Sequence, residues 1–159
     1  MGFFIDTGVV VAFAVLLVAA AWGDIRNYRI PNALVGAFLV LFVLAFALGL
    51  IPRHEIAGHL GAGVGVLLLG MALFRFNWIG GGDAKFIAAL ALWAGWPEAI
   101  RLVIAMALAG GVVSALVVLQ NRPGGGKDKL RRRVPYGVAI ALAGLDFWLR
   151  KLAAPIFFP

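Results

Sequence analysis

One polar stretch, Gly80-Gly81-Gly82-Asp83-Ala84-Lys85-Phe86, stands directly in front of an apolar run near the middle of the chain. Glycine lets a backbone take positive φ and approach a ligand closely. An aspartate at the foot of a hydrophobic helix costs free energy, which makes Asp83 a candidate functional residue. A second aspartate, Asp24, follows the first apolar run in the segment Trp22-Gly23-Asp24-Ile25-Arg26-Asn27-Tyr28-Arg29-Ile30-Pro31-Asn32. If the two carboxylates meet, they form one site.

The composition around these stretches is that of a membrane protein. The chain has 159 residues, of which 64% are hydrophobic and only 13% are charged. Its mean hydropathy of +1.02 excludes an ordinary soluble domain and indicates a polytopic membrane protein. The sequence contains no cysteine, which excludes disulfides, zinc-thiolate sites, thiol nucleophiles and lipid-modified cysteines.

Six apolar runs predict six membrane-spanning helices, because a helix needs roughly 20 apolar residues to cross a bilayer. The run after the glycines is short for a full span, and the last run is acceptable if Asp146 faces the interior or lies near the far interface. We therefore predict an all-α bundle of six transmembrane helices, forming a single membrane-embedded domain over residues 1–159. The runs are 3–22, 33–51, 57–74, 84–96, 99–120 and 134–152.

The positions of the basic residues predict the orientation, because cytoplasmic loops retain lysine and arginine. With the N-terminus outside, 10 of the 14 basic residues fall on the cytoplasmic side and 4 on the outer side. Asp24 and Asp83 then both lie at the cytoplasmic face. The basic run 121–133 is interpreted as a topogenic loop that also touches anionic lipid, so the net charge of +7 does not indicate a nucleic-acid partner.

Two further patterns concern packing and metal binding. Gly61 and Gly65 have the spacing of small residues that bring membrane helices close together, within the chain or in a homo-oligomer. His54 and His59 lie beside Glu55, but the sequence offers no third ligand of the kind a metal site needs. We therefore predict no metal ion and leave the oligomeric state open.

Asp24 and Asp83 have both structural and chemical interpretations. Taken singly, Asp83 can cap a helix, and Asp24 can pair with Arg26 or Arg29. Taken together, two close carboxylates cannot both ionise easily and so share a proton. One can then activate water while the other protonates the developing oxyanion, which is aspartyl-protease chemistry without a metal or cofactor.

The glycines fit this chemistry and also leave alternatives. A side chain at Gly80 or Gly82 would obstruct an extended substrate or forbid the turn. A glycine-rich phosphate cradle competes with this interpretation, but the lysine-serine or lysine-threonine pair that follows a P-loop is missing. Two further alternatives are a small transporter or channel subunit, whose proton or cation path the aspartates line, and a scaffold protein.

These motifs resemble the type IV prepilin leader peptidases, a branch of the GxGD membrane aspartyl proteases. Gly80-Gly81-Gly82-Asp83 matches GxGD, and Asp24 with Arg26, Ile30-Pro31-Asn32 matches the family's first catalytic segment. Pro135-Tyr136-Gly137 is similar to its third recurrent element. The resemblance implies that Asp24 and Asp83 are the catalytic pair and that Gly80 and Gly82 shape the loop. It gives supporting candidates in Arg26, Asn32, Lys85 and Tyr136.

The resemblance also implies a substrate and a location. Longer members carry an added N-terminal region, often with paired cysteines, and also methylate the product. A chain without cysteine looks like the short, cleavage-only form of the tight-adherence (Flp) type. The expected partner is a prepilin whose basic leader lies in the cytoplasm and is cut where its apolar helix begins. The expected location is the bacterial inner membrane.

Overall fold

The computed structural model describes residues 2–27, 29–120 and 136–157 and places six helices there. Those ranges contain no β-strand, which confirms the all-α prediction. The basic loop 121–133 and the side chain of Tyr136 lie outside the described part, so the topogenic role of that loop stays a prediction. In chain order the helices are α1 (Gly2–Asn27), α2 (Asn32–Ala47), α3 (Ile56–Arg75), α4 (Gly81–Ala94), α5 (Glu98–Gln120) and α6 (Tyr136–Phe157).

The helix that follows the glycine run is the centre of the fold. Eight of the 14 residues of α4 are buried, and it packs against α2, α3, α5 and α6. It also meets α1, because the rings of Phe13 and Trp93 are 5.1 Å apart in an edge-to-face arrangement. At 1.5 Å per residue α4 is only about 21 Å long. Its short length and its alanine-rich sequence are therefore typical of a helix that the other helices enclose.

Aromatic side chains from three helices form the core around α4. Phe13 packs edge-on against Phe38 at 5.0 Å, and Phe38 lies 5.4 Å from Phe86. Phe42 meets the ring of Trp93 at 5.5 Å. The indole Nε1 of Trp93 donates to the carbonyl of Phe38 over 3.1 Å, which satisfies its buried donor. This cluster fixes α1 and α2 against the same helix.

The closest helix packing is made by two glycines of α3. A Cβ added at Gly63 would lie 3.0 Å from Leu92 Cβ, and one added at Gly70 would lie 3.0 Å from Ala84 Cβ and 3.3 Å from its Cα. These distances are shorter than ordinary carbon contacts. The backbones of α3 and α4 can approach this closely only because glycine stands at both positions.

The predicted GxxxG pair has a different environment. Cβ atoms added at Gly61 and Gly65 would lie 3.4 and 3.5 Å from the indole of Trp96, which is side chain and not helix backbone. The pair therefore leaves a surface against which the aromatic ring packs. The two helices come together on roughly the opposite face of α3, at Gly63 and Gly70.

Two helix boundaries differ from the apolar runs. α1 extends to Asn27, so Asp24 lies inside its last turn rather than after the helix. α2 ends at Ala47 rather than near residue 51, and Gly49 follows with a φ of 76°. Hydropathy marks only the apolar part of a helix, so it misses a polar last turn and includes apolar residues of a loop.

The described residues contain two helices long and apolar enough to cross a membrane, Thr7–Asn27 and Ile56–Arg75. Asn32–Ala47 and Val138–Phe147 are apolar but shorter. Asp146 does not face the interior: it is exposed and its carboxylate accepts a 2.9 Å bond from Arg150 Nε. The predicted interior position of Asp146 is therefore wrong, and its position near the far interface stays a prediction.

Candidate active site

Asp24 belongs to the buried face of α1. Phe13, Leu17, Ala20 and Asp24 follow one another at helical spacing, and each of them is buried. The side chain of Asp24 is only 4% exposed. Burying a carboxylate is unfavourable unless its surroundings compensate, and such residues concentrate at functional sites. The described part of the chain buries one other polar residue to this extent, His59.

Asp83 lies at the third position of α4, and Gly80 is the N-cap. Its carboxylate accepts a hydrogen bond from the backbone N–H of Gly80. This is one half of a capping box, in which the third helical residue reaches back to the cap. The predicted capping role is therefore present, with Asp83 inside the first turn rather than at the cap itself.

The glycine run allows the Asp83 carboxylate to fold back over the chain. A Cβ added at Gly80 would lie 2.7 Å from Asp83 Oδ2. Gly80 has a φ of −73° and a ψ of 143°, and neither Gly81 nor Gly82 has a positive φ. The expectation that a side chain would forbid the turn is therefore wrong for this backbone. What Gly80 supplies is space for the carboxylate.

The two aspartates approach each other across a short extended segment, residues 29–31. A Cβ added at Gly23 would contact Arg29 O at 3.9 Å and Pro31 Cδ at 4.0 Å. One added at Gly82 would contact Ile30 O at 3.4 Å from the other side. The residue that precedes each aspartate therefore lies against the same segment.

The two carboxyl groups also interact electrostatically. Asp83 stands in the first turn of α4, before the apolar run that begins at residue 84. Burial and, second, the charge of Asp24 raise the pKa of Asp83 to about 6, although the bond from Gly80 opposes the shift. A carboxyl with such a pKa exchanges its proton close to neutral pH, as an acid-base catalyst requires.

Three of the four supporting candidates make contacts with residues other than the two aspartates. The guanidinium of Arg26 lies over the exposed ring of Trp22, 4.8 Å from its centroid. Lys85 Nζ donates to Asn32 Oδ1 over 3.2 Å at an exposed position. Lys85 and Asn32 therefore tie the start of α4 to the start of α2. Tyr136 begins α6.

A large apolar groove lies on the opposite face of α4. It has a volume of about 710 Å³ and runs between α2 and α3, and neither aspartate lines it. At 100° per residue, the α4 positions that line it are turned away from Asp83. The groove is therefore not the site of the two carboxylates. Its lining includes Leu39, Leu60, Leu67, Gly81, Lys85 and Leu92.

Sequence reasoning gave no role to two residues that the structure uses. Ile30 is 6% exposed and packs in the core between the two aspartate-bearing helices. His59 is buried, and its Nδ1 donates to the carbonyl of Leu92 over 2.8 Å, near the end of α4. Its ring rests against Gly95, which has a φ of 68°. In the sequence, the feature that could have indicated this contact is Gly95, which marks the turn after α4.

The chain is similar to two curated proteins, both named prepilin leader peptidase/N-methyltransferase. The protein of Myxococcus xanthus (strain DK1622) is 27% identical over 156 residues, which cover 89% of this chain and 46% of that protein. The protein of Stutzerimonas stutzeri is 29% identical over 149 residues, which cover 90% of this chain and 50% of that protein. The chain thus spans about half the length of these relatives. No solved structure gives a significant match.

The sequence profile of the Type IV leader peptidase family matches residues 11–115, more than half of the chain. The matched region contains both Asp24 and Asp83, and it ends before Tyr136. The order of the two motifs, their meeting across residues 29–31 and this match lead to one conclusion. The chain belongs to the type IV leader peptidase family.

Proposed function

We propose that this chain is a membrane aspartyl endopeptidase that removes the leader from Flp-like type IV prepilins at the cytoplasmic membrane face. One observation carries the proposal: Gly23 and Gly82, which precede Asp24 and Asp83, lie next to the same three-residue segment, within 4 Å of an added Cβ. The names of the two relatives support a prepilin as the substrate. The Flp-like type rests on the resemblance of this cysteine-free sequence to the cleavage-only members.

In the proposed mechanism Asp24 and Asp83 act as one acid-base pair. The pair holds a single proton, because burial and mutual repulsion oppose ionisation of both carboxyls. The ionised member removes a proton from water as the water attacks the scissile carbonyl. The protonated member donates its proton to the developing oxyanion. No metal or cofactor takes part.

The pair works, in this proposal, at the inner face of a bacterial cytoplasmic membrane. Residues 1–159 form one peptidase domain whose six helices cross the bilayer, with the N-terminus outside. The apolar exterior of the helices supports this arrangement, since only 28% of each candidate span in α1 and α3 is buried by the protein. Large side chains such as Val15, Val18 and Leu68 are more than half exposed and would meet lipid.

The proposal is limited to cleavage. The relatives carry N-methyltransferase in their names, and they are about twice as long as the region they share with this chain. The paired cysteines expected of the longer members have no counterpart in a sequence without cysteine. The profile match of the leader peptidase family to residues 11–115 supports the cleavage step alone, and the proposal is restricted to that step.

Cleavage by the purified protein tests the pair. A prepilin is incubated with the enzyme in detergent or lipid, and the shortened product is followed with time. Asp24→Asn and Asp83→Asn should each reduce the rate by at least about a hundredfold, since each removes half of the acid-base pair. Asp146→Asn is the matched control, because its carboxylate is exposed and bonded to Arg150. This control should cleave at the wild-type rate.

Three results would contradict the proposal. Undiminished cleavage by either catalytic variant would remove the mechanism, and loss of cleavage after metal chelation would replace it with metal-dependent hydrolysis. Counter-ion-dependent flux in proteoliposomes, with no cleavage of prepilin, would favour the transporter alternative in which the aspartates line an ion path.

A further inference from the structure

The segment between α1 and α2 lies where it can control the distance between the two aspartates. Gly23 lies beside it on α1, where an added Cβ would be 3.9 Å from Arg29 O. Gly82 lies beside it on α4, where an added Cβ would be 3.4 Å from Ile30 O and 3.7 Å from Ile30 N. The segment thus lies next to both helices one residue before each carboxylate.

The segment is also stiff. Pro31 fixes its own φ, observed at −63°, and restricts the preceding residue to extended conformations. The carbonyl of Pro31 accepts hydrogen bonds from the N–H groups of Leu34 and Val35 at 3.0 and 3.4 Å, which anchor the segment to the first turn of α2. Ile30 is 6% exposed, so its side chain is held by the core as well.

We propose that Ile30 is a positioning residue, whose backbone and buried side chain form a rigid spacer that sets the separation of Asp24 and Asp83. This inference rests on the proposed function, because the separation matters only if the two carboxylates act together. Ile30 does not take part in the chemistry itself. It acts through Gly82 and through the end of α1.

The spacer can be measured without proteolysis, because the chain has no cysteine of its own. The variant Asp24→Cys/Asp83→Cys contains only two thiols, and the rate of disulfide formation under a fixed oxidant reports how often they meet. Adding Ile30→Ala should raise this rate at least threefold, since alanine loses the core packing that holds the segment in place and the two helix ends can then approach. An unchanged or slower rate would overturn the proposal.

Ile51→Ala provides the matched control. Ile51 lies beyond the other end of α2 and is 7% exposed, so its truncation removes a similarly buried side chain. Both variants should lower the midpoint of thermal unfolding by similar amounts. Only Ile30→Ala should change the cross-linking rate, and equal rates in the two variants would refute a spacer.

The intact enzyme gives a second measurement. With the aspartates in place, Ile30→Ala should lower kcat for prepilin cleavage about tenfold and leave KM within about twofold, because geometry and not substrate binding is lost. Ile30→Val keeps a branched side chain and should restore most of kcat. Equal kcat in Ile30→Ala and Ile51→Ala would contradict the proposal. If the wild-type chain cleaves no prepilin, the proposed function fails and the cross-linking result still decides whether Ile30 is a spacer.

Discussion

Replacing Gly70 with alanine tests whether the close packing of α3 on α4 holds Asp83 in place. The new methyl group would lie 3.0 Å from Ala84 Cβ and 3.3 Å from Ala84 Cα. Favourable carbon contacts are about 3.5–4.0 Å, so the two helices must separate by roughly half an ångström. The atoms that must move belong to a helix backbone and not to a flexible side chain.

The size of the effect follows from two opposing terms. Overpacking of this kind costs about 1–3 kcal/mol. Alanine is favoured over glycine inside a helix by roughly 0.5–1 kcal/mol. The net loss of unfolding free energy should therefore lie between about 0 and 2.5 kcal/mol, with a midpoint of about 1 kcal/mol. Because Ala84 follows Asp83 directly, the displacement should also lower the rate of prepilin cleavage.

Gly58→Ala is the matched control in the same helix. A Cβ added at Gly58 meets no atom within 4 Å, so only the helix preference remains. This variant should be slightly more stable than the wild type, by about 0.5–1 kcal/mol. Thermal unfolding followed by tryptophan fluorescence can compare the two variants in the same lipid or detergent, and cleavage rates complete the comparison. A Gly70→Ala variant as stable and as active as Gly58→Ala would refute this account of the packing.

Two further predictions concern the aspartate loop. Gly80→Ala should reduce cleavage roughly ten- to a hundredfold with little loss of stability, because the methyl group displaces the Asp83 carboxylate while the backbone angles suit alanine. Gly82→Ala should reduce cleavage much less, since the added Cβ would lie no closer than 3.4 Å to any neighbour, at Ile30 O. Equal losses of activity in the two variants would contradict this distinction. Asp83→Asn should raise the unfolding midpoint at pH 7.5 but not at pH 4. In the folded protein the pKa of Asp83 is raised to about 6, so the protonated carboxyl stabilises the fold and the ionised carboxyl destabilises it. That stability is present at pH 4 and is lost as the pH rises through about 6. A gain of the same size at both pH values would exclude this explanation.

The sequence predicted the helices well because their signal is local. Runs of apolar residues are long, and the polar stretches between them are short, so the six helices and the two aspartates were visible without a structure. The end of α1 was misplaced because its last turn is polar. Asp24 therefore lies on a helix, where the buried stripe that begins with Phe13 gives it a defined direction.

Contacts between helices could not be predicted in the same way. Spacing alone favoured Gly61 and Gly65, but helix packing depends on which face of α3 turns towards α4. In the structure Gly63 and Gly70 face α4, whereas the predicted pair packs against the side chain of Trp96. The role of Ile30 was hidden for a similar reason, because it depends on two glycines 59 positions apart in the chain, Gly23 and Gly82.

Asp83 is constrained from three directions, and each constraint acts on or through the backbone. The N–H of Gly80 donates to its carboxylate, Gly70 lets α3 pack closely against the adjacent Ala84, and Ile30 lies next to the preceding Gly82. An aspartate that only capped a helix would need the first of these contacts and neither of the others. The other two fix the start of α4 relative to α3 and to the segment that follows Asp24. The charge of Asp24 also raises the pKa of Asp83, so the two carboxyl groups interact in this arrangement.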